Sequence, residues 1–101
     1  MKNINIVGRR WFDKRAGNTY HSTEIIVDGL SIHKVPYAYG YGQQFLWTAF
    51  EWLDENWELP NPRSTNPHPH SGGKEHPADW CERNGIALDY DCSDVKRKKD
   101  L

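Results

Sequence analysis

The chain has 101 residues, of which 37% are hydrophobic and 27% are charged, and its formal net charge at pH 7 is −1. This length suits one domain with a modest core and excludes a core combined with a deep cofactor cleft. Five Trp, five Tyr and three Phe offer large apolar areas, so a few aromatic side chains are expected to supply much of the core.

Charge is unevenly distributed along the chain. Residues 1–20 carry five basic residues against one acid, whereas residues 41–60 carry four acids and no base. This asymmetry favours a local charged partner over wholesale coating of nucleic acid. The two cysteines do not indicate a disulfide framework, and no segment resembles a signal peptide or a membrane span. The expectation is a cytosolic protein with reduced thiols and no membrane contact.

The first part of the chain predicts three antiparallel strands. Residues 3–12 alternate apolar with polar side chains, and a turn follows over residues 13–18. Asp28-Gly29 is typical of a two-residue type I′ turn, which predicts a hairpin of residues 19–27 and 30–35. The cross-strand pairs expected from this turn are Val27 with Leu30, Ile26 with Ser31, Ile25 with Ile32, Glu24 with His33 and Thr23 with Lys34.

This register predicts one apolar hairpin face that meets a helix. Its members are Ile25, Val27, Leu30 and Ile32. On the other face, Glu24 would lie opposite His33, an arrangement in which a carboxylate can orient a general base. The sequence places no Ser, Thr or Cys nucleophile within reach, so a cross-strand charge pair is the simpler interpretation. The expectation is a protein that is not an enzyme.

The rest of the chain predicts an α+β fold. Pro36 should end the third strand because it cannot donate to a ladder, and residues 37–42 should form a loop. A helix is predicted over residues 43–57, with Trp47 outside its apolar arc. The apolar arc is expected to contain Phe45, Leu46, Ala49, Phe50, Trp52, Leu53 and Trp57.

A second, shorter helix and a last strand complete the predicted domain. Residues 60–76 are rich in Pro and His and should form an irregular loop, followed by a helix at 77–84. Residues 86–92 alternate apolar with polar side chains and should add a strand to a sheet edge. Residues 1–93 are therefore predicted to be one domain, a three-stranded meander plus this strand packed on the main helix, and residues 94–101 a frayed charged tail.

A metal site is one interpretation of the His-rich loop. His68, His70, His76 and Cys81 fall within fourteen residues, and His and Cys are the ligands that zinc prefers. Their spacing, H-x-H-x5-H-x4-C, matches no zinc motif, and prolines stiffen the segment around His68. A solvated loop with a small buried cysteine is the preferred interpretation, and no cofactor is expected.

Basic and aromatic residues alternate in two other places. Arg9, Arg10, Lys14 and Arg15, with Trp11, form a cluster that suits phosphates and stacked bases. The Tyr39-Gly40-Tyr41-Gly42 loop leads into a helix N-terminus, which favours an anion, but neither glycine-rich phosphate motif is present. The alternative is that these tyrosines pack around the helix start while the arginines stay solvated.

Four segments together resemble a group of small accessory proteins encoded by tailed bacteriophages. They are Gly8-Arg9-Arg10-Trp11-Phe12, Gly17-Asn18-Thr19-Tyr20-His21-Ser22, Val27-Asp28-Gly29 and Tyr39-Gly40-Tyr41-Gly42. The resemblance covers roughly residues 8–55. It implies a protein that acts in the cytoplasm of a bacterial host, and it transfers no functional residue.

The leading hypothesis is a stoichiometric binding protein of phage origin, which inhibits a host protein or an anti-phage defence protein. Trp47 joins the basic cluster of Arg9, Arg10, Trp11 and Arg15 as an expected contact, since core packing explains it least. The alternative is a protein that binds nucleic acid or a signalling nucleotide through Arg9, Arg10 and Arg15 together with Tyr39 and Tyr41. The sequence does not determine the oligomeric state.

Overall fold

Two helices lie on one face of a four-stranded mixed sheet in the computed structural model, which describes residues 1–63 and 74–101. The strand order is β3-β2-β1-β4, with β1–β2 and β2–β3 antiparallel and β1–β4 parallel. The α+β prediction is confirmed, including the edge position of the last strand. The elements are β1 (Asn3–Asp13), β2 (Asn18–Val27), β3 (Leu30–Tyr39), α1 (Gln44–Asn56), α2 (Pro77–Arg83), β4 (Ala87–Val95) and a 3₁₀ turn (Lys98–Asp100).

The hairpin turn has the predicted geometry. Asp28 has a φ of 51° and Gly29 a φ of 82°, as a type I′ turn requires. The Asp28 carboxylate also accepts hydrogen bonds from the backbone N–H groups of Lys2 and Asn3, at 2.7 and 3.0 Å. These bonds lower the pKa of the carboxyl group. The turn therefore also fastens the start of β1.

The predicted register is correct only beside the turn. Val27 pairs with Leu30 and Ile26 with Ser31, but Ile25 pairs with His33 because a bulge adds one residue to β3. The other expected pairs, Ile25–Ile32, Glu24–His33 and Thr23–Lys34, are therefore wrong by one residue. Leu30 was also expected to face the helix, yet it lies at the tip of an edge strand and is 68% exposed.

The third strand does not end at Pro36 as predicted. It continues to Tyr39, with a second irregularity between the pairs Thr23–Val35 and His21–Ala38. An edge strand tolerates proline because one of its sides has no ladder partner. Tyr37 and Tyr39 consequently belong to the sheet and not to a loop.

Helix α1 packs its predicted apolar arc on the sheet. Five of its residues are buried against Ile4, Ile6 and Ile25, and Gly8 allows close approach, since a Cβ there would lie 2.5 Å from a ring carbon of Phe45. Trp57 does not join the arc, because the helix ends at Asn56 and the next residue is extended. The buried helix residues are Phe45, Leu46, Ala49, Phe50 and Leu53.

Helix α2 closes the core, and Trp80 is its largest side chain. Trp80 and Cys81 are buried, and the Trp80 ring meets Phe50 edge-on at 6.1 Å. Gly85, with a φ of 67°, ends the helix as predicted, and β4 follows. Among the described helices, none combines the length and the apolar character needed to cross a membrane.

The C-terminal residues were predicted to fray, but they pack against the sheet. β4 runs to Val95, and residues 96–101 then cross the sheet on the face opposite the helices. Arg9 of β1 contacts the backbone oxygen of Asp100 at 3.5 Å, and Lys34 of β3 contacts that of Leu101 at 3.4 Å. The two contacts lie on strands separated by β2, so the tail spans most of the sheet's width.

Candidate binding surface

The sheet has a covered inner face and an open face. Side chains alternate along each strand, so Ile4 and Ile6 of β1 face the helices while Val7, Arg9 and Trp11 face the other way. Both described helices pack on the inner face. Apart from the tail, no described element covers the open face, which makes its side chains available to a partner.

Four aromatic rings adjoin one another on the open face across β1, β2 and β3. Tyr20 stacks with Trp11 at 6.0 Å and with Tyr37 at 4.8 Å, and it meets Tyr39 edge-on at 5.7 Å between ring centroids. We call this set the aromatic platform. Tyr37 is 43% exposed and Tyr39 is 65% exposed. Partial desolvation and the neighbouring Tyr20 hydroxyl raise the pKa of Tyr37, so its ring stays uncharged at neutral pH.

Three basic side chains share the face of the aromatic platform, together with the Glu24 carboxylate. The Lys98 ammonium lies 4.7 Å from the Tyr37 ring centroid, a cation–π distance, and Arg9 and Lys34 stand on the same face. Arg15 and Trp11 both line an open groove of about 520 Å³ at the end of the platform. The face therefore combines exposed rings with cations from the first strand, the third strand and the tail.

Arg10, a predicted contact, lies on the inner side of the sheet's end. Its Nε donates to the Asp94 carboxylate at 3.0 Å, and its NH1 group donates to the Gly42 carbonyl at 3.1 Å. The structure thus uses Arg10 to join β1, β4 and the loop before α1. It is separated from Arg9, Trp11 and Arg15, with which the sequence had grouped it.

A second groove brings together the three remaining predicted contacts, Tyr39, Tyr41 and Trp47. It has a volume of about 560 Å³ and is completed by Gly40, Gln43 and Gln44; we call it the tyrosine groove. Tyr41 is 78% exposed. Trp47 is half-buried, because its ring meets His76 edge-on at 5.3 Å and the Arg63 guanidinium at 5.7 Å.

A buried histidine holds the loop that forms the tyrosine groove. His21 Nδ1 lies 3.2 Å from the Gly40 carbonyl oxygen, and Nε2 lies 2.8 Å from the Thr48 hydroxyl. Burial lowers the pKa of His21, which favours the neutral ring. A carbonyl oxygen only accepts, so Nδ1 carries the proton and Nε2 accepts from Thr48. Gly40, with a φ of 142°, is required because a side chain there would collide with Gln44.

The candidate metal ligands do not form a described cluster. His68 and His70 lie outside the described residues. His76 Nδ1 accepts from the Ala78 N–H at 3.0 Å and so caps α2. Burial raises the pKa of the Cys81 thiol to about 11. Within residues 1–63 and 74–101, no group of three or more His, Cys, Asp or Glu side chains could hold a metal ion.

Glu24 and His33 are separated by the bulge in β3. Glu24 lies on the open face and accepts from the Ser31 hydroxyl at 2.7 Å. His33 instead faces the helix and stacks on Trp52 at 4.2 Å between ring centroids. The arrangement considered for a general base is therefore not present.

Sequence reasoning missed Tyr20, Tyr37, Lys34 and Lys98 as members of the open face. The position of Tyr20 could have been predicted from the sequence, because correct pairing of β1 with β2 places it opposite Trp11. The position of Tyr37 on the open face depends on β3 continuing past Pro36, which the sequence did not predict. The position of Lys98 depends on the path of the tail, for which the sequence contains no local signal.

We compared the chain with protein-family models, with curated protein sequences and with solved structures, and none of them matches. The resemblance to phage accessory proteins therefore stays a prediction.

Proposed function

We propose that this chain is a stoichiometric binding protein, acting without catalysis, and that its open face binds single-stranded nucleic acid. The observation that carries the proposal is the aromatic platform with cations around it. Rings from three adjacent strands stack or meet edge-on on one side of the sheet, and Arg9, Lys34 and Lys98 lie on that same side.

Aromatic rings of this kind suit unpaired bases. Stacking of a base on an aromatic side chain contributes about 1–3 kcal/mol, and it tolerates any base sequence because every base has a flat face. Bases inside a duplex are stacked on one another and cannot reach the rings. The exposed areas of Tyr37 and Tyr39 therefore support a single-stranded ligand over a double-stranded one.

The cations suit the phosphates of the same strand. Arg9 and Lys34 at present contact backbone oxygen atoms of the tail at 3.5 and 3.4 Å, a geometry that phosphate oxygens can also adopt. The raised pKa of Tyr37 keeps its phenol uncharged at neutral pH, so this ring does not repel an anionic strand. Three phosphate contacts predict a log–log salt slope of about −2 for a single strand.

The test is fluorescence anisotropy with labelled single-stranded and duplex oligonucleotides over a range of salt concentrations. We expect the single strand to bind more tightly, and Tyr37→Ala to weaken it about 5- to 100-fold, the loss of one stacked base. Leu30→Ala is the matched control, because Leu30 lies on the same strand, is more exposed and is not part of the platform. Absence of single-strand binding at low salt would overturn the proposal.

A second candidate is the stoichiometric inhibitor of a host or anti-phage defence protein, acting in the host cytoplasm. It is supported by the exposure of Tyr39 and Tyr41, since Tyr and Trp are enriched at protein-binding hot spots. Trp11, Arg9, Arg15 and Trp47 would add contacts.

Affinity purification from infected cells, with and without nuclease, separates the two candidates. A protein that remains bound after nuclease treatment to the natural chain and to Leu30→Ala, but not to Tyr41→Ala, would favour the inhibitor. A capture that nuclease abolishes would count against it and would favour the nucleic-acid ligand.

A further inference from the structure

We infer that the tyrosine groove is a subsite that recognises one nucleobase, with adenine as the preferred base, at the end of the aromatic platform. This inference rests on the proposed binding of single-stranded nucleic acid. It adds selectivity to a surface whose stacking contacts are otherwise indifferent to sequence.

Tyr39 connects the groove to the platform. It meets Tyr20 edge-on at 5.7 Å on the platform side, and it also lines the groove together with Tyr41 and Trp47. A strand stacked along the platform therefore reaches the groove without leaving the protein surface. The groove's volume of about 560 Å³ lies in the range of small-ligand sites and accommodates a nucleotide.

The polar chemistry of the groove matches a base edge. The side-chain amides of Gln43 and Gln44 line it, and neither has a hydrogen-bond partner within the described parts of the chain. Each amide offers an acceptor oxygen and a donor nitrogen, and glutamine pairs in this bidentate way with N6 and N7 of adenine. Among residues 1–63 and 74–101, no charged side chain lines the groove, which favours a neutral base over a phosphate group or an acidic peptide.

The backbone of the groove is fixed before a ligand arrives. His21 binds the Gly40 carbonyl at 3.2 Å, and Arg10 binds the Gly42 carbonyl at 3.1 Å. The two bonds hold the loop between β3 and α1 on both sides of Tyr41. Binding of a base therefore does not require ordering of this loop, which preserves affinity.

The experiment measures the affinities of labelled oligo-dA and oligo-dT for the natural chain and for three variants. The natural chain should prefer oligo-dA, and Gln43→Ala/Gln44→Ala should reduce the dA:dT affinity ratio about 5- to 100-fold, the range for one bidentate base contact. Tyr37→Ala is the matched control, since loss of a platform ring should weaken both oligonucleotides and leave their ratio unchanged. Gln43→Glu removes the amide donors and is expected to leave folding intact, because Gln43 is exposed.

The outcomes separate this inference from the proposed function. Equal binding of the two oligonucleotides by the natural chain, or an unchanged ratio in both Gln variants, would overturn the base subsite while the nucleic-acid proposal stands. Absence of any oligonucleotide binding would overturn the nucleic-acid proposal. In that case titration with adenosine monophosphate tests the groove alone, and an unshifted Trp47 indole resonance in an NMR spectrum would overturn the subsite as well.

Discussion

On the inner face of the sheet, Phe50 and Trp80 are fully buried, whereas on the open face Tyr37 and Tyr39 keep 43% and 65% of their surface exposed. Both faces belong to the same four strands, and both carry contacting aromatic rings. The two faces differ in what packs on them, since two helices cover the inner face and only the short tail crosses the open face.

This comparison shows that aromatic content alone does not separate core from contact surface. On the inner face an aromatic side chain stabilises the fold, because its whole area leaves water. On the open face the same area remains available to a ligand. Substitutions on the two faces should therefore have opposite consequences for stability and for binding.

The largest expected effect on stability is at Trp80. Trp80→Ala should lower the free energy of unfolding by about 3–5 kcal/mol, because it leaves a large cavity beside Phe50 and removes the bond from the indole N–H to Asn61. Tyr39→Ala should change it by no more than about 0.5 kcal/mol. Urea unfolding of the two variants makes the comparison. Equal losses would show that the open face contributes to folding as much as the core does.

The next effect concerns how closely the helix approaches the sheet. Gly8→Ala should cost about 1–3 kcal/mol, because the added methyl would press on the Phe45 ring. The second variant, Gly8→Ala/Phe45→Ala, should show a favourable coupling in a double-mutant cycle, since the clash is then relieved. Additive costs in the unfolding measurements would mean that Gly8 does not set the packing of α1.

A smaller effect is the pH dependence due to His21. Burial holds its pKa below the usual 6.5 in the folded chain, so the unfolded chain binds more protons. The stability from His21 is therefore complete above pH 6.5 and declines as the pH falls below it, by at most about 1.4 kcal/mol per pH unit. Urea unfolding from pH 7.5 to 5 should show this decline for the natural chain. A His21→Gln variant with the same decline would assign it to other groups.

The smallest expected effect is a difference in alkylation rate between the two thiols. It distinguishes a buried group from a partly covered one. Cys81 is buried with a pKa raised to about 11, so iodoacetamide at pH 8 should leave it unmodified in the folded chain. Cys92 is only half-buried and should react first, although its pKa is raised too. Mass spectrometry of the folded and urea-unfolded chain measures both. Rapid native alkylation of Cys81 would contradict the described packing of α2.

Local signals predicted the turn and the helices. Asp28-Gly29 defines its turn through backbone conformation, and the buried arc of α1 follows from helical periodicity. Both features could therefore be predicted from the sequence. The register beyond the turn could not be predicted, because the bulge at Ile32 depends on how β3 packs and twists in the whole sheet. The continuation of β3 past Pro36 depends likewise on its edge position.

The candidate site was predicted only in part, for the same reason. Trp11 and Tyr39 were named as contacts, but the ring that joins them, Tyr20, is seen only when three strands are in register. Arg10 was grouped with its neighbours in sequence, although alternation along a strand sends it to the other side. Lys98 reaches the platform through tertiary contacts of the tail.

The most direct test of the central claim is a two-dimensional NMR titration of the indole N–H resonances with a single-stranded oligonucleotide. The described structure predicts that the Trp11 resonance on the open face shifts while the Trp80 resonance, buried and bonded to the Asn61 carbonyl at 2.7 Å, stays in place. An unshifted Trp11 resonance at saturating oligonucleotide would contradict the claim that the open face is the binding surface.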